Sequence, residues 1–473
     1  VAASATAHPT LVSPEAAIAT FLTRLEKPAR LLVAISGGSD STGLLVALRE
    51  VILKAYPSGS IELLAVTVDH ALRPNSADEA LCVAKLCRQL VIPHVIRRWD
   101  GEKPATGLSA AARAARYRLL CDTADEFGAT AILTGHTRDD QIETLVMRGA
   151  RLHGKHDSLA DAAACDTSEP SAEYLFNPGL AGMASAVLVE GRHWLLRPFL
   201  DVQRADIRQM LQASAIGWID DPSNVDPRFE RARTRQRLAD GGGDGQALLQ
   251  SATRIGAERA RLGAEVADLF ARHLTIEGSV LARLQAPALD AEPAVLLCAL
   301  SNLTAVLGGR AHGPGRDSLR RIAAFVGEGG AGRLTAGRVL FQRHRQALFM
   351  TRESRDLPHV AVVHGPEILW DGRFRIRTSA ACGVDVGPGA PDQMAAQARF
   401  ADAPPAIALA AYRSLPQLER TFQGADAVLI KPVLQPFDAF LPAFDVDIAN
   451  SLAIAMGLRV FAPLPFNVFD RKR

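Results

Sequence analysis

The chain has 473 residues, too many for one ordinary core, so two to three domains are expected. It is 48% hydrophobic and 22% charged, as in soluble globular proteins, and its 53 basic against 51 acidic residues exclude nucleic-acid binding driven by overall charge. An aromatic content of 5% excludes widespread stacking platforms for single strands, and no run approaches the roughly 18 apolar residues of a membrane span.

The opening "VAASATAHPTLVSPEAA" has no basic region followed by an apolar stretch, so no signal peptide is expected. From about residue 30 to 200, strand-like runs alternate with helix-like ones. The strands are expected at "RLLVAI" (30–35), "IELLAVTV" (61–68), "PHVIRRW" (93–99), "TAILTG" (130–135) and "WLLRPF" (194–199), with helices at 42–54, 76–90, 109–127 and 137–148. This alternation predicts an α/β fold, a parallel sheet with helices on both faces. Ligands in such folds bind beyond the carboxyl ends of the strands. "SGGSDS", "DHALRPN" and "GHTRDDQIET" each follow a strand directly, so they are expected on one edge.

The first of these has the layout of a phosphate loop, with a strand, a Gly-rich turn and a helix. It lacks the lysine of a G-x-x-x-x-G-K-[ST] loop, and Asp40 stands in that place. Gly37 and Gly38 let the backbone approach an anion, Ser36, Ser39 and Ser41 add hydroxyls, and the following helix offers free N–H groups. The second stretch puts His70 and Arg73 after a strand, where a histidine alone is more often a loop or core residue. "SAAARAARYRLL" (109–120) sets Arg113, Arg116 and Tyr117 on one helical side, suited to phosphate or bases, or else simply a solvated face.

In "GHTRDDQIET" (135–144), Asp140 and Glu143 are three apart and Asp139 and Glu143 four apart, so either pair shares a helical face. Acids are also favoured at helix N-termini, which accounts for one of them. Carboxylates crowded with His136 beside a phosphate loop point to a Mg²⁺ site, because hard cations take oxygen ligands and bridge phosphates.

Residues 150–178 break the pattern and read as a surface insertion. "WIDDPSNVDPRFERARTRQRL" (218–238) moves from Asp-rich turns to arginines at 228, 231, 233, 235 and 237, a candidate phosphate-backbone contact or a charged linker. A linker is expected at "DGGGDG" (240–245), then helices to about residue 330, then a small C-terminal domain with much β-structure. The expected domains are 14–227, 228–332 and 333–473. The six cysteines (Cys82, Cys87, Cys121, Cys165, Cys298 and Cys382) form no CxxC and no zinc-like spacing, so reduced, mostly buried thiols and a cytoplasmic protein are expected.

"SGGSDS" is similar to the SGGxDS signature of the PP-loop ATP pyrophosphatases. With "VDHALRPNSADEA", "ARAARYRLL", "GHTRDDQIET", "MRGAR…GLAGM", "LLRPFLDVQRADIRQML" and "WIDDPSNVD" in that order, the chain resembles the tRNA(Ile)-lysidine synthetase family. The likeness is close over about residues 30–237 and faint beyond. It implies an adenine nucleotide alpha hydrolase-like PP-loop domain followed by a helical and a terminal β-rich domain. It also implies a two-step reaction. ATP adenylates C2 of the wobble cytidine of CAU-anticodon tRNA(Ile), and free L-lysine then displaces AMP to leave lysidine.

By the same resemblance, Ser36, Gly37, Gly38, Ser39, Asp40 and Ser41 hold ATP with His70 and His136, and Asp40 and Asp140 contact Mg²⁺. Glu143 orients or deprotonates the lysine ammonium, and Arg113 reaches ATP phosphate or the target base. Arg116, Arg228, Arg231, Arg233 and Arg235 contact tRNA, with Arg231 or Arg233 closing on the site. Which of Asp140 and Glu143 binds metal and which acts as base stays open. A homodimer is compatible with the sequence.

Two features depart from the family pattern. Ala232 stands where an Asn usually follows the arginine, and the 150–178 insertion separates "RG" from "GLAGM". Both touch detailed tRNA contacts and leave the acids intact. Rival readings fit less well. Thiocytidine or thiouridine synthases need catalytic or cluster-binding cysteines, and GMP or asparagine synthetases carry a glutaminase domain not seen before residue 30. A PP-loop fold that only binds RNA would have no use for Asp40, Asp140 and Glu143.

Overall fold

The computed structural model describes residues 12–153, 179–220, 226–228, 230–239, 244–345, 347–380, 383–418 and 428–467. Most of the 150–178 insertion, residues 221–225 of the basic stretch, 240–243 of the expected linker, Cys165 and Cys382 lie outside them. The described chain forms two compact units. One holds the residues up to Gly256 and those from Ala462 on, and the other holds Ala257–Phe461.

In the first unit, α1 (Pro14–Arg24) leads into β1 (Ala29–Ala34), α2 (Ser39–Ala55), β2 (Ile61–Asp69), α3 (Ser76–Gln89), β3 (His94–Arg98), α4 (Leu108–Phe127), β4 (Ala131–Thr134) and α5 (Arg138–His153). β5 (Ala186–Val189), β6 (His193–Leu196), α6 (Arg204–Ala213) and α7 (Glu230–Ala239) follow, and α8 (Gly245–His273) spans the division after Gly256. The strands pair in the order β5-β6-β4-β1-β2-β3. Every pairing is parallel except that of β5 with β6. β1 and β4 are buried almost throughout, as strands covered on both faces must be. Leu32, Val66 and Ile132 pack against Tyr117, Leu120 and Ala124 of α4 on one face.

The expected strands and helices are found within a few residues, apart from two differences. α5 runs on to His153, and the expected strand 194–199 is β6, preceded by the unforeseen β5. "AVLV" of β5 is fully buried and too short to show the alternation that marks a half-exposed strand.

The second unit begins within the expected helical region yet contains β7 (Leu274–Glu277) and β8 (Leu281–Gln285) before α9 (Pro293–Gly308) and α10 (Arg316–Gly327). These strands join a sheet ordered β7-β8-β11-β10-β9, with β9 (Gly332–Ala336), β10 (Val339–His344) and β11 (Ala347–Arg352). Short strands and helices complete the C-terminal part around a core including Trp370, Ile376, Val386, Phe400 and Ile407. No described helix is long and apolar enough to cross a membrane.

Candidate active site at the carboxyl edge of the parallel sheet

Beyond β1 the chain turns through Ser36–Ser41. Gly37 has φ +87°, which side-chain-bearing residues rarely adopt, and a Cβ there would lie 2.8 Å from Ile219 Cδ1. Gly38 differs. Its φ of −68° is ordinary and an added Cβ would meet nothing nearer than 3.7 Å, so glycine at 38 leaves room instead of relieving strain. No side chain caps α2 at this end, which leaves its N–H groups and positive dipole end for an anion. Ser41 Oγ accepts from Ser36 N at 3.1 Å and donates to Gly38 O at 3.2 Å, bracing the turn. Ser39 Oγ donates to Asp40 Oδ1 at 2.9 Å.

Beyond the adjacent β4, a Cβ on Gly135 would stand 2.7 Å from Asp40 O, so glycine is what allows the two strand ends to close on each other. Thr137 and Asp140 then form a capping box at the start of α5. Thr137 N and Oγ1 donate to Asp140 Oδ2 at 2.9 and 3.0 Å, and Asp140 N donates back to Thr137 Oγ1 at 3.4 Å. One oxygen of Asp140 therefore serves the helix cap, as helix chemistry alone would demand. The other turns toward the site.

Arginines meet the acids from two directions. Arg204 Nε lies 2.9 Å from Asp40 Oδ2, its Nη2 2.9 Å from Asp140 Oδ1 and its Nη1 3.4 Å from Glu143 Oε1. From α7, Arg231 Nε reaches Glu143 Oε2 at 2.7 Å and its Nη2 reaches Asp140 Oδ1 at 3.0 Å. Arg235 Nε reaches Glu143 Oε1 at 2.6 Å. Glu143 is only 2% exposed.

Burial pushes the Asp40 carboxyl above the usual range, Arg204 opposes this, and the neighbouring Asp140 adds to it. Burial would raise Asp140 too, but Arg231 and Arg204 more than offset it, and its carboxyl lies below the usual range. His136 is held down to about 3 by burial, then by Arg197, so its ring is neutral at physiological pH. Burial and Arg116 lower His70 as well.

Three cavities adjoin these groups. One of about 520 Å³ runs from Ser36 and Gly38 past Thr67, Asp69 and His70 to Ile219. A small one of about 150 Å³ is lined by His70, Arg113, Arg116, Thr134 and His136. The largest, about 1280 Å³, lies between the Ser36–Ser41 turn, Asp140, Arg204 and α7. Arg116 borders all three.

Of the residues singled out in the sequence, the turn, both histidines, Arg113, Arg116 and the three acids thus share one edge. Arg231 and Arg235 join them. Arg233 also borders the largest cavity while its Nη1 donates to the Pro227 and Arg228 carbonyls at 2.7 and 3.0 Å, and Arg228 pairs with Asp226 at 2.6 Å on the surface. Sequence reasoning missed Arg204 altogether, and with it the part played by Asp139, whose Oδ2 accepts the Arg204 backbone N–H at 2.8 Å. The available signal was electrostatic: three acids at one buried edge require cations, and "DVQRADIRQ" supplies Arg204 and Arg208 just after a strand.

A parallel sheet with a Gly-Ser turn and acids at its carboxyl edge defines a PP-loop protein, and a family model described as PP-loop domain matches residues 12–241. Relatives extend the likeness over most of the chain. The tRNA(Ile)-lysidine synthase of Rhizobium meliloti (strain 1021) is 41% identical over 446 residues, covering 92% of this chain and 94% of that protein. The enzyme of the same name from Mesorhizobium japonicum is 38% identical over 455 residues, covering 92% and 93%. That of Brucella melitensis biotype 2 is 38% identical over 364 residues, 76% of each chain. The chain belongs to the tRNA(Ile)-lysidine synthase family.

Proposed function

We propose that the protein ligates L-lysine to C2 of the wobble cytidine, position 34, of CAU-anticodon tRNA(Ile). The reaction passes through an adenylated tRNA and yields lysidine, AMP and pyrophosphate. The product reads AUA instead of AUG and is charged with isoleucine instead of methionine. The observation that carries this reading is the meeting of Asp40, from the phosphate turn, with Asp140 and Glu143 around one guanidinium.

The oxygen on cytidine C2 is a poor leaving group. Its attack on the α-phosphorus of ATP expels pyrophosphate and turns it into a good one. The turn at Ser36–Ser41, its free N–H groups and the start of α2 suit the pyrophosphate. The 520 Å³ cavity suits the nucleoside, beside neutral His70.

Among the described residues, no three His, Cys, Asp or Glu side chains are arranged to hold a metal by themselves. Two carboxylates completed by substrate phosphates are nonetheless an ordinary Mg²⁺ environment, and Asp40 and Asp140 already converge on a cation, Arg204. These two would hold Mg²⁺, which would neutralise charge developing on the departing pyrophosphate.

In the second half-reaction the lysine amine attacks C2, the C2–O bond breaks and AMP leaves. Glu143 is the acid positioned to bind the ammonium and take its proton. Arg113 and Arg116, which line the small cavity, would serve the α-phosphate or the base, and Arg231, Arg233 and Arg235, which border the largest cavity, would with Arg228 serve the anticodon phosphates. Residues 14–227 then carry catalysis, with 228–332 and 333–473 serving tRNA recognition, in the cytoplasm.

The test incubates the full chain with ATP, Mg²⁺, radiolabelled lysine and tRNA transcripts. Label is expected in the isoleucine CAU transcript and not in a methionine transcript. Pyrophosphate release that never depends on lysine, or no release with any tRNA, would overturn the reading.

A further inference from the structure

Arg204 is the first residue of α6, and its place is fixed from three sides. Its backbone N–H is held by Asp139, the residue next to Asp140. Ile207 and Leu211, on the inner face of the same helix, are fully buried. Gly43 of α2 lies so close that a Cβ there would stand 2.2 Å from Ile207 Cγ2. The guanidinium thus projects from a helix that cannot shift without disturbing the core beside the phosphate turn.

Its three nitrogens address acids from two strand ends. Asp40 belongs to the turn after β1, while Asp140 and Glu143 belong to α5 after β4. A buried ion network is weak evidence for stability, since desolvation offsets much of the attraction. A planar fork does, however, fix the directions and separations of the oxygens it binds, which a point charge cannot do.

We propose that Arg204 is a positioning residue for both half-reactions, its fork setting the spacing between Asp40 on the adenylation side and the Asp140–Glu143 pair on the lysine side. The proposal rests on the assignment of those acids given above. Arg204 touches neither ATP nor lysine in this scheme and acts through the carboxylates. Its loss therefore slows both steps together and leaves substrate affinity in place.

The experiment measures two single-turnover rates on the full chain with tRNA(Ile): pyrophosphate release without lysine, and AMP release on adding lysine. Arg204→Met is expected to lower both rates about 100-fold, the scale of a small misplacement of reacting groups. The KM values for ATP and lysine should stay within about threefold of wild type by that same argument. Arg204→Lys, which keeps the charge and loses the fork, should recover little of either rate. Asp139→Ala, which frees the backbone anchor while leaving every guanidinium contact chemically possible, should lower both rates to a smaller degree. This variant keeps the question open to test should Arg204→Met fail to fold.

A loss confined to one step, a rise in KM at constant kcat, or full rescue by lysine at 204 would overturn the proposal. If wild type itself shows no lysine-dependent AMP release, the proposed function fails first. If wild type is active and the variant rates part company, only the role of Arg204 fails.

Discussion

Arg235 Nε stands 2.6 Å from Glu143 Oε1, although 92 positions separate the two residues in the chain. Arg231 engages the other oxygen at 2.7 Å, so both oxygens of a nearly inaccessible carboxylate are held by guanidinium groups from one helix. Glu143 is therefore a charged group kept ready in the interior, not a side chain awaiting solvent.

Replacing Glu143 by Gln keeps the shape and removes the proton acceptor. Adenylation, read as pyrophosphate release, should persist within a few-fold, while lysine-dependent AMP release falls by about 10²–10⁴, the usual weight of a general base. Equal loss of both steps in rapid-quench measurements would return Glu143 to a purely structural role.

Two glycines in helices make opposite forecasts. Gly43→Ala forces a methyl against Ile207 and should cost about 1–3 kcal/mol, the range for overpacking. Gly256→Ala, in α8 with nothing within 4 Å of the added carbon, should stabilise by about 0.5–1 kcal/mol. Urea denaturation midpoints compared at one pH decide both, and a shift of the same sign in the two variants would contradict the packing described.

The buried His136 makes stability depend on acid. Its pKa of about 3 in the folded chain lies below the ordinary value of 6.5, so the unfolded chain binds the proton first as pH falls. This contribution is fully present above about pH 6.5 and drains away toward pH 3. His136→Gln should flatten the decline of the denaturation midpoint between pH 7.5 and 5. An unchanged slope would show that the ring protonates freely in the fold.

Thiol reactivity should separate the cysteines. Burial pushes Cys87 up to about 11 and Cys121 and Cys298 up to about 12, so none carries appreciable thiolate at pH 8. Cys82 is exposed on α3. Iodoacetamide at pH 8 should label Cys82 in the native protein and spare the other three, as peptide mass spectrometry would reveal. Rapid labelling of Cys121 would mean that α4 opens away from the sheet.

The legible part of this molecule was the part written in local pattern. β1, β2 and β4 are predominantly apolar runs, Gly37 marks a turn with positive φ, and the spacing of Asp140 and Glu143 puts them on one helical face. Long-range pairing was not legible. Nothing near Arg204 in the sequence names its acids, which lie 61, 64 and 164 positions away. Asp139 looked like a cap for its own helix and in fact caps the next one. β5, β7 and β8 were missed because four or five residues carry too little periodicity to separate strand from helix.

The guanidinium groups on Glu143 also bear on which amines the protein would accept. If Glu143 receives the lysine ammonium, the chain carries its own imitation of that group, tethered millimolar or higher in effective concentration. An entering amine has to evict a resident. Ammonia and other small amines bring one charge and no further contacts to that contest, whereas lysine brings a second amine, a carboxylate and an aliphatic stem. Discrimination between amines would then begin with a rival built into the protein, before any pocket has measured the length of the side chain.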